Sequence, residues 1–380
     1  MSGIVRVAEH LRKYLLLYVV LVIAIAIPVG YYYASFFKTH TSLMKTVILS
    51  LAIATLYPSM VQLRAEKLGP EVRAKPREIT LGIILVFLVG PLMAMLLAGT
   101  MGNKLIGIGF VAANVVPASS ASIAYVLLAD GNVELATVLA ILSIIGAIIL
   151  APVYVSLYAA TVSVSLPITV LAESVALALV TPFVLGQLTR YFLVKRRARK
   201  MILDNRISLP CKERLSSHVS GKDALRYQEE AIKCAENRIS KSLKPYLSLA
   251  TMLFMLALIF MLIANKSILL VEKPMIAANI IGSQLVIYST TILILLATSK
   301  AMKMRYEDHM GIAFITITKN ESVAAAMTVM AIGTTAALPA ALIPAVQPVV
   351  AILYIALALV VRRIIGQPEA KSTLKAPTIG

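Results

Sequence analysis

The chain has 380 residues, of which 59% are hydrophobic and 14% are charged, whereas a soluble domain is about a quarter charged. One soluble core cannot bury so many apolar side chains, and the mean hydropathy of +0.87 is typical of a chain that faces lipid. The net charge of +18 comes from Lys and Arg residues that lie between apolar runs, which argues against a nucleic-acid-binding face and against a soluble enzyme.

Ten apolar runs follow one another along the chain, if roughly twenty apolar residues are taken as one membrane crossing. We therefore predict an all-α integral membrane protein with ten transmembrane helices. The first run follows three basic residues and lacks an Ala-x-Ala cleavage pattern, so we expect it to be a retained helix. The runs are 14–36, 42–63, 79–100, 105–128, 133–160, 168–193, 246–265, 275–299, 309–332 and 337–361.

The loops between the runs differ in their content of basic residues, and cytoplasmic loops are enriched in Lys and Arg. One set of loops carries Arg64, Lys67, Arg73, Lys75, Arg77, Lys300, Lys303, Arg305, Arg362 and Arg363. The opposite set has only Lys38, Lys104, Lys266 and Lys273. This asymmetry predicts a cell-membrane protein with both termini in the cytoplasm.

Residues 195–244 form the one long polar segment, with a basic cluster at 195–200 and a predicted helix near 223–243. We interpret it as a cytoplasmic linker between residues 1–194 and residues 245–380. Binding of lipid headgroups by the basic cluster is the alternative, since each juxtamembrane Lys or Arg gains about 1 kcal/mol near an anionic leaflet. Both cysteines, Cys211 and Cys234, lie here, which argues against a disulfide framework.

The two halves of the chain share some features. The first helix contains Pro28 and Gly30, and the sixth contains Pro182 and Gly186, while the fourth and ninth are both interrupted by polar residues. A repeat of five helices has an odd number of crossings and must be inverted, which is a common plan of transporters. The sequence therefore predicts two inverted five-helix repeats with broken fourth and ninth helices.

The fourth predicted helix contains Asn114, Pro117, Ser119, Ser120 and Ser122. The proline removes a backbone donor and clashes with the preceding turn, so we expect a break in the middle of the membrane. Freed backbone groups there must be buried in protein or line a wet cavity. We predict that these five residues bind a solute; the alternative is a proline kink whose hydroxyls bond to their own helix.

The ninth predicted helix contains Thr318, Lys319, Asn320 and Glu321 near its centre, where a charge costs about 2.5 to 3.5 kcal/mol. We predict that these four residues bind solute and that Lys319 and Glu321 also provide coupling, through an anionic solute or a proton. The two charges can pair directly only if the helix is unwound there. The alternative is a structural pair of buried charges.

Other polar residues in the apolar runs carry less information. Gln284 and Asn279 in the eighth helix are candidates, although lone amides more often bridge helices. None of the four histidines is expected inside a span, and the chain has no nucleotide-binding loop and no metal-ligand spacing. The sequence thus gives no support to ATP-driven transport and predicts no cofactor or metal.

Three segments resemble the bile acid/sodium symporter superfamily, which includes the arsenite efflux permeases. They are residues 57–60 with 63–67, residues 117–133, and residues 318–320. The resemblance implies a ten-helix secondary transporter in which the fourth and ninth helices cross at broken centres. The linker of about fifty residues departs from the short connection that is usual in the family.

The residues that the resemblance links to sodium are mostly replaced, although Ser122 matches. The replaced positions are Ile123, Ala136, Ala140, Ile315, Lys319 and Val86. The helix-four cysteine of the arsenite permeases falls on Ala118, so thiol capture of arsenite is not expected.

From these departures we expect alternating-access transport of a small polar or anionic organic solute without the usual sodium sites. Proton coupling is an option, and membrane lipids are expected as further partners. The alternatives are metalloid efflux without a thiol and a non-transporting membrane receptor.

Overall fold

The computed structural model describes residues 3–62, 74–119, 121–198, 200 and 222–366. Within these ranges the backbone is helical, with one isolated β-bridge and no extended strand. The α-helices are α1 (Gly3–Lys13), α2 (Leu15–Tyr32), α3 (Ala34–Thr39), α4 (Thr41–Gln62), α5 (Pro76–Ile84), α6 (Gly90–Leu97), α7 (Lys104–Val115), α8 (Ala121–Leu128), α9 (Val133–Thr161), α10 (Ile168–Arg190), α11 (Lys222–Asn265), α12 (Ser267–Glu272), α13 (Met275–Ala301), α14 (Tyr306–Ile317), α15 (Glu321–Ala331), α16 (Leu338–Leu342), α17 (Gln347–Ala356) and α18 (Ala358–Ile364).

Eight helices in the described ranges are long and apolar enough to cross a membrane. They are Leu15–Tyr32, Thr41–Gln62, Pro76–Met101, Val133–Thr161, Ile168–Arg196, Cys234–Asn265, Met275–Ala301 and Leu338–Ala356. Each coincides with one of the predicted apolar runs, which supports a multi-pass membrane protein.

The fourth and ninth predicted runs are not continuous helices. The fourth divides into α7 and α8, and the ninth into α14 and α15. Pro117 follows the end of α7 at the place where the sequence predicts a break. The predicted interruption of both helices is therefore present in the structure.

The first of two compact units contains Met1–Arg64, Leu166–Pro274 and Ser322–Ala341. In it α4 packs against α10 and α11, and α11 packs against α2. Gly30 allows a close approach, since a Cβ there would lie 2.2 Å from the backbone oxygen of Ala264. The hydroxyls of Tyr57 and Thr189 are 2.7 Å apart and join α4 to α10.

The second unit contains Ala65–Ser165, Met275–Glu321 and Leu342–Gly380. Here α9 packs against α7 and α14, while α14 also packs against α8, α13 and α17. The two units therefore each draw on both halves of the sequence, whereas our sequence-based division followed chain order. The second unit contains the break of the fourth helix and residues 318–321.

The polar segment between the sixth and seventh predicted helices is partly described. Helix α11 begins at Lys222 and runs without interruption to Asn265, which confirms the helix predicted near 223–243 and shows that it continues into the seventh span. Cys211 lies outside the described residues, but Cys234 is disulfide-bonded. The sequence-based argument against a disulfide was wrong, because a single bridge needs only one pair of cysteines and not a framework of several.

Candidate functional site

The two broken helices meet at their breaks. Ala118 and Lys319 form an isolated antiparallel β-bridge. In this bridge the N–H of Ser119 donates to the Thr318 oxygen at 3.0 Å, and the N–H of Asn320 donates to the Pro117 oxygen at 2.8 Å. Each break thus satisfies backbone groups of the other, as a break in an apolar environment requires.

Hydroxyl groups surround this bridge. Ser122 and Thr318 are buried and share a hydrogen bond between their hydroxyls. Ser143, which comes from α9, accepts a hydrogen bond from the N–H of Ala118 at 3.0 Å. Ser119 is half-buried, and Ser120 lies outside the described residues. The predicted serine and threonine residues that are described therefore lie together at the crossing, and their bonds are largely to the protein itself.

Lys319 is the cation of the crossing, and only 4% of it is exposed. Its Nζ donates to the backbone oxygen of Val86 at 3.3 Å. Val86 lies in a π-helical turn, Leu85–Val89, between α5 and α6. Such turns interrupt the regular hydrogen-bond ladder and are frequent at functional sites. The ammonium is thus held by a backbone carbonyl at an irregular part of the third span.

Glu321 is the first residue of α15 and is also buried, with 6% exposed. Its Oε1 accepts a hydrogen bond from Nε2 of Gln347 at 3.0 Å, and the same Nε2 lies 3.3 Å from the oxygen of Lys319. The other carboxylate oxygen, Oε2, is buried and makes no hydrogen bond with the described residues. Helix α17 therefore supplies an amide that holds this carboxylate beside the extended segment.

The two charges, both within the described residues, interact electrostatically but form no ion pair. The sequence predicts that Lys319 and Glu321 can pair directly only where the helix is unwound. The segment between α14 and α15 is unwound, so this condition is met. The side chains nevertheless bond to different partners, Val86 for Lys319 and Gln347 for Glu321. The unwound backbone between α14 and α15 therefore permits direct pairing of Lys319 with Glu321, but the two side chains do not pair.

A second group of polar side chains joins α7 to α13. The amides of Asn114 and Gln284 donate to each other at 3.0 and 3.1 Å, and Asn114 also donates to the Phe110 oxygen at 3.0 Å. One turn after Gln284, the Tyr288 hydroxyl is buried beside Gln284 and Gln347 and interacts electrostatically with Glu321. Polar side chains thus lie between the fourth span and Glu321, although the Tyr288 hydroxyl makes no hydrogen bond with the described residues.

Asn279, the other amide of the eighth helix, bridges to the Thr100 oxygen at 2.6 Å. This contact and the pairing of Gln284 confirm that amides of this helix connect it to its neighbours. Asn114, which we predicted to bind solute, directs its amide to protein partners in this structure.

A cluster at the start of α14 includes a histidine that we had placed outside the spans. This residue, His309, is fully buried and lies within 2.8 Å of Ser299 and 2.6 Å of the Tyr354 hydroxyl. The sequence suggested a span that begins at 309, whereas α14 begins at Tyr306 and is covered by α13 and α17.

Next to this histidine, Asp308 bonds to Lys75 at 2.5 Å and to Asn132 at 2.7 Å. Asn132 caps the start of α9, and Lys75 precedes α5. One buried carboxylate thus ties together the beginnings of three helices in the second unit.

Sequence reasoning missed Ser143, Tyr288 and Gln347, and it did not give the Val86 carbonyl a role. Gln347 could have been noticed as a lone amide in the tenth apolar run. Tyr288 lies four residues after Gln284 and so shares its helix face. The Val86 carbonyl has no side-chain signal, because the contact is made by the backbone.

Comparison with known proteins agrees with this architecture. The model of the sodium bile acid symporter family matches residues 48–273. The matched range covers more than half of the chain and includes the break of the fourth helix, but ends before the ninth. No curated protein matches this chain.

Proposed function

This chain belongs to the sodium bile acid symporter family, and from that premise we propose that it is a secondary active transporter of a small polar or anionic organic solute. The observation that carries the proposal is the buried ammonium of Lys319 at the crossing of two broken helices. In secondary transporters, discontinuous helices form the solute site near the middle of the bilayer. Transport would proceed by alternating access around this crossing.

The charge of the site favours an anionic group on the solute. Helix α8 begins at Ala121, just after the break, and the N-terminus of a helix carries a partial positive charge. Lys319, which is one of the two residues of the β-bridge, adds a full positive charge. The buried carboxylate of Glu321 is held by Gln347, which leaves the ammonium as the group for an anion.

The same ammonium supports transport without the usual sodium sites. By resemblance, sodium-coupled members are expected to have glutamines at the positions of Val86 and Lys319. Here the Lys319 Nζ donates to the Val86 oxygen, and a fixed cation at this place would repel a bound sodium ion. Ile123, Ala136 and Ile315 also lack side-chain oxygens that could coordinate sodium, which further weakens sodium binding.

The proposed solute-binding residues are those predicted at the two breaks, with Lys319 and Glu321 also providing coupling. They are Asn114, Pro117, Ser119, Ser120, Ser122, Thr318, Lys319, Asn320 and Glu321. We further propose the ten-helix plan with two inverted repeats, and a cytoplasmic position for both termini and for residues 195–244. In that compartment thiols are kept reduced, so the disulfide of Cys234 would form there only transiently. Eight long apolar helices and two broken ones support this plan.

The test is a thermal-shift screen of the purified protein followed by counterflow in proteoliposomes. The screen uses organic anions, amino acids, sterol conjugates and arsenite, because a ligand of the folded state raises apparent stability. We expect an organic anion to stabilise the protein and to exchange across the vesicle membrane. Binding without counterflow would indicate a receptor, and stabilisation by arsenite alone would indicate metalloid efflux; either result overturns the proposal.

A further inference from the structure

Two buried polar atoms near the crossing have no hydrogen bond among the described residues and belong to neighbouring groups. They are Oε2 of Glu321 and the hydroxyl oxygen of Tyr288. A buried carboxylate oxygen without a donor is costly, and native proteins rarely leave such a group unpaired. A proton on the carboxyl group would lower this cost, since a neutral carboxyl group is less costly to bury than a carboxylate.

The surroundings of Glu321 also fit a neutral carboxyl group. The titratable groups that interact with it are Lys319, from the crossing itself, and Tyr288, from α13. Gln347, from α17, is a neutral amide that bonds to Oε1. Lys319 directs its ammonium to the Val86 carbonyl at 3.3 Å rather than to Glu321.

The position of the ammonium is informative because a carboxylate attracts it with a full negative charge, whereas a backbone carbonyl offers only a dipole. An ionised Glu321 would compete with the Val86 carbonyl for Lys319, two residues away on an unwound segment. The observed preference for the carbonyl is the one expected when the carboxyl group carries a proton.

We propose that Glu321 and Tyr288 form a proton-binding site whose occupancy decides whether Lys319 bonds to Val86 or to Glu321. With the proton on Oε2, the carboxyl group beside Tyr288 is neutral and Lys319 stays on Val86. When the proton leaves to bulk water, the negative charge of the carboxylate draws the ammonium toward itself, and the nearby Tyr288 hydroxyl can move to donate to it. Gln347 is a positioning residue, because it bonds to both the carboxylate and the Lys319 oxygen.

This inference rests on the proposed function, because it names the coupling ion of that transporter. Lys319 is part of the β-bridge that joins the two breaks, so a change of its partner acts directly on the crossing. It also changes the positive charge available to a solute anion. Protonation of Glu321 would thereby link a proton to solute binding without a sodium ion.

The experiment is difference infrared spectroscopy of the purified, solute-free protein from acidic to alkaline pH. We expect a C=O stretching band of a buried protonated carboxyl group that disappears as the pH rises. Glu321→Gln removes this band and keeps an oxygen that accepts from Gln347. The control is Glu173→Gln, which removes an exposed carboxyl group of α10 and should leave the band in place.

Two further variants keep the proposal falsifiable if Glu321→Gln does not fold. Gln347→Leu removes the hydrogen-bond donor to the carboxyl group and Tyr288→Phe removes a polar neighbour, so each should shift the frequency of the band. A band that survives Glu321→Gln, a spectrum without a titrating band, or a frequency unchanged in both other variants overturns the proton site. Absence of counterflow with an intact band would instead refute the transport function alone.

Discussion

Replacement of Lys319 by glutamine tests whether the ammonium acts on solute or only on the fold. Among the described residues the side chain makes one hydrogen bond, to Val86, and it is almost fully buried. A hydrogen bond to a charged group contributes about 1.5 to 3 kcal/mol. A lysine charge at the centre of a membrane helix costs about 2.5 to 3.5 kcal/mol. The two effects nearly cancel, so Lys319→Gln should insert and fold with stability within about 1 kcal/mol of the wild type.

The effect on transport should be much larger than the effect on stability. If the ammonium binds an anionic solute, its removal costs one charge-assisted hydrogen bond in the complex, about 1.5 to 3 kcal/mol. That free energy corresponds to a roughly 10-fold to 150-fold weaker affinity. Lys319→Arg keeps the positive charge and should retain most of the affinity, because arginine stays protonated.

The measurement is the half-saturating concentration of the solute in proteoliposome counterflow, at several pH values. Lys303→Gln is the matched control, since it removes the same charge from an exposed loop between α13 and α14. We expect this control to behave like the wild type. If Lys319→Gln transports with unchanged half-saturation and pH profile, Lys319 is only structural and the helix-nine half of the proposed site fails.

Three further predictions concern ions, topology and the buried amide pair. Transport should persist when sodium is replaced by potassium or choline, and a strict, saturable sodium requirement would contradict the proposed mechanism. In a cysteine-free variant, an impermeant thiol reagent should label Lys104→Cys from outside intact cells and Lys303→Cys only after permeabilisation; the reverse pattern would mean that the orientation is inverted. Asn114→Leu alone should lower the free energy of unfolding in detergent by about 1 to 3 kcal/mol, because Gln284 is left unpaired. The double variant with Gln284→Leu should recover most of that loss, and two additive losses would show that the amides act independently.

The apolar runs and the proline of the fourth helix could be read from the sequence because their effects are local. A run of about twenty apolar residues predicts a span wherever it lies, and Pro117 cannot continue a helical hydrogen-bond ladder. The meeting of the two breaks was expected only through the resemblance to a family. Composition alone does not decide which two irregular segments come together.

The partners of the charged residues could not be predicted, because they depend on contacts between distant parts of the chain. Lys319 and Val86 are 233 residues apart, and Glu321 and Gln347 are 26 residues apart. The two-residue spacing of Lys319 and Glu321 suggested direct pairing in an unwound segment. It could not show that a carbonyl from the third span and an amide from the tenth were closer partners.

The interleaving of the two units has a consequence for biogenesis. The side-chain pairing of Asn114 with Gln284 can form only after Gln284 has been synthesised, 170 residues later. At a typical synthesis rate this delay is roughly 10 to 30 s. We therefore expect the nascent fourth helix to enter the membrane with an open break and without its partner Gln284, and the second unit to be completed only after the last three predicted helices have been synthesised. We expect chains truncated before residue 275 to be retained by the insertion machinery or degraded, even though most of their spans are already made.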